Sequence, residues 1–351
     1  DLAERVLAIG ADFGFLGGRH TMLKSKKKVI AVCAVRTGAG KSQVVRYIAD
    51  VIRKAGFKAV VVRHPMPYGN LVDEAVQRFS SRADLDEANL TIEEREEYER
   101  HISKGTVVYA GVDYQAILDR AEEEADVIVW DGGNNDTPFF KPDLWITVAD
   151  ALRPGHEMLY YPGETNFRAA DLIVINKANS AAEEDIISIE ANAARLNPKA
   201  SVVVAGSEVR AEDPEIIRHK RVLVIEDGPT ITHGEMAYGA GEVAARMNEA
   251  SEIIDPRPYA VGSLKELFSK FRHIGRVLPA MGYYPEQIRE LEETINRADC
   301  DSVVIASPID LRRLIKIDKP STYVLYDLVD MERPLLREKI EEFISGMRAD
   351  A

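Results

Sequence analysis

A chain of 351 residues with 46% hydrophobic and 29% charged residues has the composition of a globular protein with a large core. Its net charge of −13 argues against a general nucleic-acid or anionic-membrane binder, and no apolar run approaches the ~20 residues of a membrane span. Two cysteines, Cys33 and Cys300, offer neither a metal-binding spacing nor a disulfide framework, which fits a reducing cytoplasm.

Residues 1–25 combine a short helical pattern (Leu2, Val6, Leu7, Ile9) with glycine-rich sequence that runs into the basic stretch Lys24 to Lys28. They read as a linker or the remnant of an N-terminal region. Val29 to Val35 is a continuous apolar run, expected to be a buried strand. Arg36-Thr37-Gly38-Ala39-Gly40-Lys41-Ser42 is a glycine-rich turn, and Gln43 to Ala55 reads as a helix. Strand, loop and helix in this order make a nucleoside-triphosphate site. Gly38 and Gly40 let the backbone curl so that its N–H groups, with those of Thr37, Ala39 and Gln43, face phosphate oxygens at a helix N-terminus. Lys41 is expected to reach the β and γ phosphates and Ser42 to ligate Mg²⁺. Where the usual motif begins with glycine, this chain has Val35. What remains resembles the deviant phosphate loop of the class that includes dethiobiotin synthetase and nitrogenase iron protein. In that class an early basic residue also contacts phosphate, and Arg36 holds that place.

Further along, Ala59 to Val62 is expected to be a strand running into a proline-rich loop headed by Arg63 and His64. Thr91-Ile92-Glu93-Glu94 is a capping-box start to a charged helix, read as a solvated face. Val107 to Tyr109 is a short strand and Asp113 to Glu124 a helix. Val127 to Trp130 delivers Asp131, a Walker B carboxylate, to the carboxyl edge of the sheet, where it is expected to hold Mg²⁺ with Ser42. Asn134 and Asn135 add polar groups beside it. Leu144 to Val148, Leu172 to Ile175, Ser201 to Val204 and Val222 to Ile225 continue the strands. Asn176-Lys177-Ala178-Asn179 is similar to the guanine-reading element of GTPases, with Asn179 in place of its aspartate. Asn176 and Lys177 are therefore assigned to the base, with ATP versus GTP left open. Helices around Leu264 to Phe271 and Pro285 to Ala298, strands near Val303 and Thr322, and a last helix from Pro334 complete the chain. Alternation of strands and helices predicts an α/β fold, a mostly parallel sheet with helices on both faces. Residues 26–250 form the nucleotide-binding core in this reading, and 251–351 a C-terminal α/β extension packed on it.

Three loops rich in basic and polar residues follow strands: Arg63 and His64; Arg153, His156 and Arg168; Thr232 and His233. In an acidic protein they are expected to bind an anionic substrate. On this assignment Arg153→Ala raises the requirement for that substrate and spares nucleotide binding.

The stretches AVRTGAGKSQ, VVRHPMPYG, WDGGNND, RPGHE, YYPGETN, EDGPTITHGEMAYGAG, DPRPYAVGS and IDLRRL together resemble the cyclic 2,3-diphosphoglycerate synthetase family, some members of which are described as predicted GTPases. The resemblance implies a cytoplasmic ligase that uses ATP and Mg²⁺ to join the two phosphates of 2,3-bisphosphoglycerate. That substrate carries roughly −4 to −5 charge. Arg36, Lys41 and Asp131 take the catalytic roles in this reading, the partner is a small phosphorylated molecule, and a homodimer is an expected assembly. The alternative is a regulatory or chaperone-like GTPase switch, motivated by Asn176 and Lys177.

Overall fold

The computed structural model describes residues 2–64, 69–88, 90–133, 136–282, 284–331 and 334–350. Thirteen strands among them are β1 (Lys28–Ala34), β2 (Ala59–Arg63), β3 (Gln77–Phe79), β4 (Val107–Ala110), β5 (Val127–Asp131), β6 (Leu144–Asp150), β7 (Leu172–Asn176), β8 (Ser201–Ala211), β9 (Arg221–Asp227), β10 (Glu252–Ile253), β11 (Leu278–Ala280), β12 (Ser302–Ala306) and β13 (Ser321–Asp330). They run in the spatial order β10-β9-β12-β13-β8-β7-β6-β1-β5-β2-β4-β3, with β11 beside β9.

The sheet is mostly parallel, as the apolar strand runs predict. β1 shows why both its faces must be covered. Ile30, Val32 and Ala34 face a core shared with the helices Lys41–Lys54 and Leu336–Asp350, while Val29 and Ala31 face a second core with Ile117, Trp130 and Phe140. Each such Val or Ile contributes about 1.5–3 kcal/mol by burial. A separate core gathers residues from Ala211 to Val324 around β9 and β12. The expected division near residue 250 falls inside that core. The helix Leu2–Ala8 buries none of its residues.

Among the described residues two joints are antiparallel, β3 with β4 and β8 with β13. The second shapes the molecule. β8 pairs with β7 only through Ser201 to Val204, and β13 pairs with β12 only through Ser321 to Tyr323. Beyond those points each strand runs past the carboxyl edge of its own half. The two pair with each other over seven registers, from Ala205↔Asp330 to Ala211↔Val324. This ribbon, about 20 Å long, makes the carboxyl edges of the two parallel halves face each other. Ligands bind at such edges, and here both edges open on one cleft. Among the described residues no helix is long and apolar enough to cross a membrane.

Candidate nucleotide site

The cleft between the facing edges holds a cavity of about 430 Å³. One wall is the phosphate loop, residues 36 to 43, and the floor includes Ser207, Val209 and Tyr326 of the ribbon. Gly38 and Gly40 have φ of 80° and 97°, the left-handed region that favours glycine. A Cβ on Gly40 would sit 2.0 Å from the Asn176 amide nitrogen, so that position also needs glycine for space.

Three side chains grip the loop from outside. Arg153 donates from Nη2 to the Thr37 carbonyl at 2.8 Å, Lys177 from Nζ to Gly38, and Asn176 from Nδ2 to Ala39 at 2.9 Å. With its carbonyls held outward, the loop can turn its N–H groups towards an anion. Asp150, at the end of β6 and 1% exposed, organises this grip by accepting from Arg153 Nε at 2.9 Å and Lys177 Nζ at 2.8 Å. Burial works against its charge, but Lys177 and Arg153 together hold its carboxyl below the usual range.

This geometry revises several sequence-based assignments. Arg153 is a buttress that also donates to the Gly234 carbonyl, and its guanidinium is fully engaged by Asp150 and backbone oxygens. Asn176 and Lys177 likewise support the loop. Asn179 bridges Ser207 in both directions, donating to its carbonyl at 3.0 Å and accepting from its N–H at 2.8 Å. Asn179→Asp therefore removes a donor and is expected to cost about 1–3 kcal/mol of stability with no gain in guanine preference. Thermal unfolding and the ratio of GTP to ATP dissociation constants check this; a tenfold shift towards GTP would contradict it.

Asp131, fully buried at the end of β5, meets the Lys41 ammonium, Arg63 Nη1 at 3.0 Å and His101 Nε2 at 3.3 Å. Burial opposes its charge, and the cations Arg63 and Lys41 overcome this to hold its carboxyl far below the ordinary range. Arg63 is itself 4% exposed and also pairs with Glu97, so it orients Asp131 as well as lining the cavity. The Ser42 hydroxyl lines the cavity with no hydrogen-bond partner among the described residues. Among those residues no three His, Cys, Asp or Glu converge on one metal position. A Mg²⁺ ion would thus lean on Ser42, Asp131, water and phosphate oxygens, a donor set that fits this hard cation.

Arg36 reaches from the loop to Glu235 at 2.7 Å, lies 4.1 Å over the Tyr160 ring and meets His156 Nδ1 at 3.2 Å. His64 faces the cavity with its Nδ1 3.0 Å from Asp136. Other expected substrate contacts lie elsewhere. Arg168 pairs with Glu164 on an exposed helix face, Thr232 is buried and bonded to the Gly228 carbonyl at 2.8 Å, and His233 is exposed outside the cavity lining. Asn134 and Asn135 lie outside the described residues.

The helix Ile92–Ser103 departs most from its sequence reading. Its capping box forms as expected, Thr91 with Glu94, but it is no solvated face. Glu97, Arg100 and His101, at helical positions i, i+3 and i+4, turn towards the cleft. His101 is buried against Asp131, and burial pushes its pKa down. The opposite wall comes from the loop after β9, as expected, but through Asp227, Pro229 and Thr230 rather than Thr232 and His233. Asp227, at the end of β9, lines the cavity and accepts from the Thr230 hydroxyl; burial pushes its carboxyl up to about 6. Its neighbour Glu226 caps the helix Ala240–Met247 by accepting from the N–H groups of Gly239, Gly241 and Glu242. The signal in the sequence was the acidic pair at the end of an apolar strand, the same pattern that marks Asp131.

No family model matches the chain. The arginine synthetase ArcE of Thermococcus kodakarensis is 57% identical over 342 residues, spanning 97% of this chain and 76% of that protein. Among solved structures, the LpxK of Aquifex aeolicus in complex with ATP aligns over 98% of this chain and 93% of its own, at 14% identity and a TM-score of 0.49. The hydrogenase maturation factor HypB of Archaeoglobus fulgidus aligns over 51% of this chain and 81% of its own, at 19% identity and a TM-score of 0.35. Sequence identity of that extent across nearly the whole chain assigns this protein to the arginine synthetase ArcE family.

Proposed function

We propose that the protein is an ATP-dependent synthetase that builds a guanidinium group on a ureido amino acid. The observation that carries this reading is the meeting, in one cavity, of a phosphate loop with the Asp227 carboxylate, which accepts from the Thr230 hydroxyl and pairs with no cation among the described residues. A carboxylate there suits a substrate with ammonium or guanidinium character. The name of the 57% identical relative supports an arginine-like product.

The chemistry balances simply. The γ-phosphoryl group of ATP passes to the ureido oxygen and ADP leaves. Ammonia then adds to the activated carbon, and phosphate departs carrying that oxygen. The ammonium ion that supplied the nitrogen releases one proton. Bound Mg²⁺ would neutralise phosphate charge next to Ser42 and Asp131. Lys41, Arg36 and the loop N–H groups would hold the transferring phosphoryl group. The facing edges of the sheet enclose the acceptor and keep water from the activated intermediate.

A second reading is the ring closure of 2,3-bisphosphoglycerate. There one substrate phosphate takes the γ-phosphoryl group and the other displaces it as free phosphate. The motif blocks and the basic lining of Arg36, Arg46, Lys41 and Arg100 favour it. Against it stand Glu97, Glu226 and Asp227 in the same lining, beside a substrate of roughly −4 to −5 charge. Phosphate release from ATP and GTP, with Mg²⁺, tests both. Stimulation by citrulline plus ammonium is expected. Stimulation by 2,3-bisphosphoglycerate alone would support ring closure, and turnover indifferent to either would contradict both.

A further inference from the structure

The cleft contains two guanidinium groups beyond those that engage the phosphate loop or Asp131. Arg46 lies five residues along the helix from Lys41, about 7.5 Å further down its axis. It is 6% exposed, lines the cavity, and makes no hydrogen bond or ion pair among the described residues. Arg100 stands close by on the helix Ile92–Ser103. It donates to the Pro308 carbonyl at 2.7 Å, the Ser307 carbonyl at 3.1 Å and the Tyr323 hydroxyl at 2.9 Å, and lies 4.2 Å over the Tyr326 ring. Every one of those acceptors is neutral.

Among the described residues no nearby carboxylate pairs with Arg46 or Arg100. Asp131 is held by Lys41, Arg63 and His101, Glu97 by Arg63, and Asp227 by the Thr230 hydroxyl. Burial and the charge of Arg100 both push the Arg46 pKa down. A buried cation next to a like charge is costly unless something brings the counter-charge. The cavity is where that group can enter.

We infer that Arg46 and Arg100 form an oxyanion subsite for the acceptor substrate, gripping its carboxylate while its far end meets the γ-phosphate. The inference rests on the acceptor reading given above; in the ring-closure reading the same groups hold a phosphate.

The test is calorimetric titration of the full chain and of Arg46→Met with arginine, agmatine, 2,3-bisphosphoglycerate and ADP. Agmatine is arginine without its carboxylate. The wild type is expected to prefer arginine over agmatine by about 30-fold or more. Arg46→Met loses that preference, keeps its ADP affinity, and unfolds at the same or a higher temperature because an uncompensated buried charge is gone. A variant that still prefers arginine, or that loses ADP affinity as much as arginine affinity, overturns the subsite. If the wild type binds bisphosphoglycerate and neither amine, the arginine reading fails by itself. The subsite then stands if Arg46→Met loses bisphosphoglycerate and falls if it does not.

Discussion

Replacing Lys41 with alanine is expected to lower kcat by about 10³-fold, the cost of removing a preorganised charge from a phosphoryl transfer site. Lys41 is 8% exposed at the first turn of its helix, and its ammonium meets Asp131. The shift of Asp131 below the ordinary carboxylate range depends on Lys41 and Arg63 together. With Lys41 gone, Arg63 and His101 still hold the carboxylate, so the fold survives while the cation that can follow the phosphates is lost. Steady-state ADP release, with thermal unfolding to confirm folding, checks this. An unchanged kcat would place the chemistry outside the phosphate loop.

Arg153→Ala is expected to behave differently from what its loop position suggests. Its guanidinium ties the phosphate loop at Thr37 to Gly234 and neutralises Asp150. Truncation leaves a buried carboxylate with Lys177 as its remaining cation, a loss of about 3–5 kcal/mol. The loop also loses an outer anchor, so nucleotide affinity falls together with stability. Urea unfolding and nucleotide titration measure the two effects. A variant of wild-type stability with intact nucleotide binding and a raised KM for the acceptor would return Arg153 to the substrate site.

The contrast between these residues shows what the sequence could and could not convey. Gly38, Gly40, Lys41 and Ser42 were legible because a phosphate loop uses local geometry: strand, turn and helix follow one another in the chain. Asp131 was legible for the same reason, at the end of an apolar strand. Arg153, Asn176, Lys177 and Asn179 were visible as polar residues at strand ends, but their partners are backbone atoms distant in sequence. Nothing local separates a side chain that meets a ligand from one that holds the loop that meets it. The helix Ile92–Ser103 looks solvated in sequence, whereas its charges are buried by pairing, Glu97 with Arg63 and His101 with Asp131. Composition registers charge and not its compensation.

The sheet tells a similar story. Apolar runs marked β1, β2, β5, β6, β7, β9 and β12, since a strand covered on both faces is apolar throughout. β8 was expected to stop at Val204, because beyond Ala205-Gly206 it alternates, with Glu208 exposed and Ala211 buried. That half-covered stretch is the ribbon that turns two carboxyl edges towards each other. Without it the phosphate loop and Asp227 would not share a cavity; the loop after β9 is legible as part of the site, but its place on a facing edge depends on this antiparallel joint.

The proposed activation of an acceptor oxygen by ATP, and its replacement by nitrogen, has a direct test in oxygen transfer. Citrulline labelled with ¹⁸O in its ureido group would be turned over with ATP, Mg²⁺ and ammonium, and the released phosphate examined by mass spectrometry. One ¹⁸O atom is expected in each phosphate formed. Phosphate free of label, formed while citrulline is consumed, would contradict it.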